Sequence, residues 1–99
     1  MPKHRIVVDK DLADIVPAYL ELRNTELGQL QALLAAGNLE EMRQIGHKLA
    51  GSGGGYGFDR LSVIGKDLEN SARAGDAAAS AACLAALKAY LEDLEVVYE

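Results

Sequence analysis

Asn38-Leu39-Glu40-Glu41-Met42-Arg43-Gln44-Ile45-Gly46-His47-Lys48-Leu49-Ala50 is the stretch from which the fold is read. Leu39, Met42, Ile45 and Leu49, with Gly46 among them, recur at three- and four-residue spacing and so line one face of an α-helix. Asn38 is a strong N-cap residue, and Glu41 stands three positions on, where a capping box places its acid. Gly37, just before, suits the left-handed stop of a preceding helix. Beyond Ala50 the pattern dissolves into Gly51-Ser52-Gly53-Gly54-Gly55-Tyr56-Gly57, five glycines in seven residues.

The same period continues on both sides. From Asp11 to Ala36, the residues Leu12, Val16, Tyr19, Leu20, Leu27, Leu30 and Leu34 mark a first helix. Pro17 belongs in the first turn of its main part, after a short leading turn, where the missing N–H costs little. A third helix follows the glycines, with Asp59 as its expected cap and Phe58 stapled onto Val63. It buries Leu61, Ile64, Gly65, Leu68 and Ala72 and stops at Gly75. Asp76 caps a fourth, expected to run through Leu84, Leu87, Leu91 and Leu94 to about Tyr98. Arg5–Val8 is read as extended. Short connections force neighbouring helices antiparallel, so the expected fold is all-α: an up-down-up-down four-helix bundle with a short N-terminal extended or leading segment.

Composition bounds the function. The 99 residues suffice for one domain, read as residues 1–99, with 49% hydrophobic and 25% charged residues. No apolar run is long enough to span a membrane, and the N-terminus lacks a signal-peptide core, so a cytoplasmic protein is expected. Cys83 has no partner for an internal disulfide. The net charge of −5, with Lys and Arg scattered, argues against nucleic-acid binding, as does the absence of Trp. Neither a Gly-x-Gly-x-x-Gly run nor a phosphate-binding Gly-Lys-Ser/Thr loop occurs, and no His-x-x-x-His or Cys pair offers metal-ligand spacing.

His47 stands apart from this scaffold. At about 100° per residue it lies roughly 120–140° from the core direction of its helix, at the edge of the solvent face. Arg43 and Gly51 are its neighbours at i−4 and i+4, and Gly54 lies on the same side a turn further. Glycine in a helix costs up to about 1 kcal/mol relative to alanine. Gly51 and Gly54 compensate with a bare surface that a concave partner site could close over. Arg43 and Gln44 are expected to border that docking face.

The run Gly46-His47-Lys48-Leu49-Ala50-Gly51-Ser52-Gly53-Gly54-Gly55-Tyr56-Gly57-Phe58 resembles the active helix of histidine phosphotransfer (HPt) domains. The family pattern, His-x-hydrophobic-Lys-Gly-Ser/Gly followed by Gly-hydrophobic, is met at His47, Leu49, Gly51, Ser52, Gly57 and Phe58. It departs at Ala50, where the family usually carries lysine. The resemblance implies a four-helix bundle and His47 as phosphoryl acceptor. Antiparallel pairing brings Lys66 to Asn70 level with His47. Glu69 there is expected to accept from His47 Nδ1 and leave Nε2 free as nucleophile. In chemotaxis-kinase phosphotransfer domains a glutamate at similar spacing does this. Lys48 and Lys66 are candidates for screening the phosphoryl charge. Arg23, which interrupts the apolar stripe of the first helix, falls level with Ser52 and is a weaker candidate, with snorkelling into solvent as its plain alternative.

The expected function is a phosphorelay carrier. His47 takes a phosphoryl group from a receiver-domain phosphoaspartate, or a kinase, and passes it to another response-regulator aspartate. No intrinsic cofactor is expected, Mg²⁺ being supplied by the receiver partner. Expected partners are receiver domains of response regulators and of hybrid histidine kinases, and the chain is expected to be a monomer. The alternative, kept open by Ala50, is a helical adaptor that binds receiver or kinase domains without being phosphorylated.

Overall fold

Gly37 (φ +73°) and Gly75 (φ +72°) adopt the left-handed conformation that an L side chain resists, and each closes a helix where the sequence places a stop. Around these stops the computed structural model, which describes residues 4–99, forms four helices: α1 (Val16–Ala35), α2 (Leu39–Ser52), α3 (Asp59–Arg73) and α4 (Ala77–Asp93). A 3₁₀ turn at Lys10–Leu12 leads into α1, and Pro17 sits in its first turn. A second 3₁₀ turn, Gly53–Tyr56, joins α2 to α3. Asn38 and Asp76 cap as expected, their carbonyl and carboxylate oxygens accepting from the N–H groups of Glu41 and Ala79 at 3.2 and 2.9 Å.

The inward stripes meet in one core. Leu30, Met42, Leu61 and Leu68 are completely buried, with Leu49, Leu87 and Tyr90 nearly so. Each such side chain stabilises the fold by about 1.5–3 kcal/mol relative to exposure. Residue pairs across α2 and α3 run in opposite order, with Gly46 beside Glu69, Ala50 beside Gly65, and Gly53 beside Ser62. The two helices are therefore antiparallel.

That seam is unusually close, because glycines line both sides of it. A Cβ at Gly46 would stand 2.9 Å from the Glu69 backbone nitrogen, and one at Gly65 would stand 2.5 Å from that of Ala50. Backbone thus packs on backbone, and α3 is drawn close enough for its side chains to reach the rim of α2.

Three expectations are corrected. The fourth helix stops at Asp93 rather than near Tyr98. Leu94–Tyr98 forms a strand, β2, paired in parallel with β1 (His4–Val8) from His4↔Leu94 to Val8↔Tyr98. Val96 and Val97 suit a pleated strand, and the backbone of Arg5–Val8 supplies the ladder. Phe58, not Asp59, is the N-cap residue of α3, and no side chain bonds there. Asp59 is the first helical residue, where its charge favours the helix N-terminus. Phe58 is fully buried and stacked on Tyr19 at 5.8 Å, whereas Val63 is 51% exposed. An aromatic contact across the bundle takes the place of the expected staple.

Candidate functional site

Position 47 is on the outer edge of α2, one residue beyond the seam glycine at 46. The His47 side chain is 71% exposed, while that of Glu69, opposite on α3, is 5% exposed. His47 Nδ1 lies 3.0 Å from Glu69 Oε2. Burial pushes the Glu69 carboxyl upward. The hydrogen bond from His47 and the charges of Lys66, His47 and Arg73 outweigh burial and hold it below the usual carboxylate range. An ionised carboxylate only accepts, so the proton of this bond belongs to Nδ1, and in the neutral ring Nε2 then carries the lone pair. The contact expected between Glu69 and His47 is present. It leaves Nε2 as the ring nitrogen that Glu69 does not engage, on a side chain that is largely exposed.

Glu69 has other partners. Arg73 Nη2 donates to the same oxygen, Oε2, at 2.9 Å, and Lys66 Nζ stands 3.6 Å from Oε1. Lys66 is thus brought to the carboxylate. Arg73, one turn beyond Glu69 on α3, joins the site without having been singled out in the sequence. Its i+4 spacing was the available signal. What spacing could not reveal is that one oxygen serves both Arg73 and His47.

The remaining candidates fall into two groups. Arg43 is on the His47 side of α2 and is held in a two-pronged pair with Glu40, at 3.0 and 2.6 Å. Gln44 is exposed beside it. Gly51 faces open space, and Gly54 is exposed with its N–H donating to Ser62 Oγ at 3.0 Å. Lys48 is also exposed, and its charge acts on Glu26 of α1. Burial raises the Glu26 carboxyl, against the pull of Arg23 and Lys48.

Arg23 is not splayed into solvent but 7% exposed. Its guanidinium lies over the Tyr19 ring at 4.5 Å, donates to Ser52 Oγ at 3.2 Å and meets Glu26 at 2.7 Å. It reaches the level of Ser52, as expected. There it ties α1 to the last residue of α2, with Tyr19 OH also bonded to Ser52 Oγ at 3.2 Å. Ala50 is half-buried, its backbone against Gly65.

Chemically, this arrangement presents an oriented, exposed imidazole with cations close by. Among the described residues no group of three or more His, Cys, Asp or Glu could hold a metal ion, and no helix is long and apolar enough to cross a membrane. Comparison with curated proteins and with solved structures finds no match. A comparison with protein families does: residues 14–96 match the Hpt domain. The match takes in all four helices and His47, and the chain belongs to the Hpt domain family, the helical phosphotransfer modules of two-component signalling.

Proposed function

We propose that His47 is the phosphoryl carrier of this domain, loaded by a receiver-domain phosphoaspartate or a kinase and discharged to another response-regulator aspartate. The single observation that carries this reading is the 3.0 Å contact of a buried Glu69 with Nδ1 of a ring otherwise 71% exposed. The Nε2 lone pair attacks phosphorus, the P–O bond to the aspartyl carboxylate breaks, and the carboxylate departs. Nδ1–H stays on Glu69 throughout, so the cation formed at the ring is met by a fixed anion. Donation runs the same steps in reverse. Mg²⁺ and most transition-state stabilisation would come from the receiver. Arg43, Gln44, Gly51 and Gly54 would border the docking face, and Lys48 or Lys66 would screen the phosphoryl charge. The domain would act as a monomer in the cytoplasm.

Incubation with a receiver loaded by acetyl phosphate, followed by mass measurement of the chain, tests the assignment. Wild type should gain one phosphoryl group that is acid-labile and base-stable. His47→Gln should fold normally and gain none. Phosphate of that kind on His47→Gln would overturn the reading. Receiver binding by wild type without any transfer would favour the adaptor instead.

A further inference from the structure

Three donors converge on one buried carboxylate. Glu69 Oε2 accepts from His47 Nδ1 at 3.0 Å and from Arg73 Nη2 at 2.9 Å, while Lys66 Nζ stands 3.6 Å from Oε1. A buried glutamate paired with histidine alone would favour the imidazolium, which binds the carboxylate more strongly than the neutral ring does. An imidazolium has no lone pair at Nε2 and cannot attack phosphorus. A site of this kind therefore needs an anion that orients the ring without also protonating it.

We propose that Arg73 is a positioning residue for His47, acting through the shared Glu69 oxygen to keep the ring as the neutral Nδ1–H tautomer. This rests on the phosphoryl-acceptor reading above. Arg73 satisfies part of the Glu69 charge permanently, because a guanidinium does not release its proton. The carboxylate remains a hydrogen-bond acceptor for Nδ1–H but gains less from a second proton on the ring. Lys66 supports the same effect from Oε1, at longer range. On α2, Arg43 is paired with Glu40, and Lys48 acts on Glu26 of α1. Gly46 and Gly65 fix the distance between the helices, so the shared oxygen is held by backbone contact.

An exposed pair that merely decorates α3 would not move the ring's titration, and this separates the two roles. The side chain of Arg73 is 56% exposed, so its replacement leaves the core intact. Following the His47 ring signals by NMR across pH, Arg73→Met should move their midpoint upward, since a cation near the ring is lost. The acid limb of the phosphoryl-transfer rate should rise with it. Arg73→Lys should restore most of both, and Glu69→Gln should move the ring midpoint the opposite way. An unchanged ring midpoint in Arg73→Met would overturn the proposal, whatever the transfer rate does. A wild-type chain that takes no phosphoryl group would instead count against the acceptor reading, since the ring titration is measured without any partner.

Discussion

The two sides of α2 and of the 3₁₀ turn that follows it use glycine for opposite purposes. On the inner side, Gly46 and Gly53, with Gly65 facing them from α3, are places where a Cβ would strike backbone atoms at 3.0 Å or less. On the outer side, a Cβ at Gly51 or Gly55 would meet nothing within 4 Å, and one at Gly54 would make only ordinary contact. The inner glycines let a helix approach. The outer ones leave room for something outside the chain. His47 lies between the two, so it is both anchored from within and accessible from without.

The largest expected effect is on the inner side. Gly65→Ala puts a methyl group against backbone that cannot swing away, and should cost about 3 kcal/mol in urea unfolding. Gly46→Ala should behave alike and also push Glu69 from His47, visible as a loss of the Nδ1-bonded ring signal. A loss below about 0.5 kcal/mol at both positions would remove the distinction between the two sides.

The anchoring contact has its own signature in acid. Glu69 ionises below its ordinary value of 4.5 in the folded chain, so its contribution to stability is complete above that pH. It is lost as pH falls through the lower folded value, because the unfolded chain takes up the proton first. Glu69→Gln should therefore be less stable than wild type at pH 7, and the gap between their urea midpoints should narrow on acidification. A gap that stays constant with pH would assign the loss to packing rather than to charge.

The smallest effect belongs to the outer side. Gly51→Ala should leave the fold unharmed or stabilise it by about 0.5–1 kcal/mol, since alanine is the better helix former and space is free. Its cost should fall on transfer from a loaded receiver. Slower transfer with equal or greater stability would sharpen the contrast between the two faces, and destabilisation would break it.

Much of this was legible in the sequence, for local reasons. The stripe Leu39, Met42, Ile45, Leu49 sets the rotation of α2, and Gly37, Asn38, Gly75 and Asp76 set the helix limits through their own backbone preferences. Antiparallel counting from the Gly57 turn then brings Glu69 level with His47. What escaped depends on contacts made across the molecule. Leu91, Leu94 and Tyr98 fit a helical period, and only pairing with His4–Val8 turns their end of the chain into a strand. Arg23 interrupts an apolar stripe, which suggests a charge reaching for water. Its burial depends on Ser52, Glu26 and Tyr19 together. The sharing of Glu69 Oε2 by Arg73 and His47 is likewise a matter of ångströms between helices.

The parallel strands have a consequence for how the chain assembles. β1 and β2 join residues about as far apart in sequence as the molecule permits, whereas α2, α3 and α4 each pack mainly on a neighbour in the chain. Closing so long a loop is costly until everything between its ends is in place, and a two-stranded ribbon adds little stability alone. The ribbon should therefore form last on refolding and open first under native conditions. In hydrogen exchange, the amides of Arg5–Val8 and Glu95–Tyr98 should exchange well before those at the glycine seam of α2 and α3. Equal protection would mean that this small closure is part of the bundle's cooperative core.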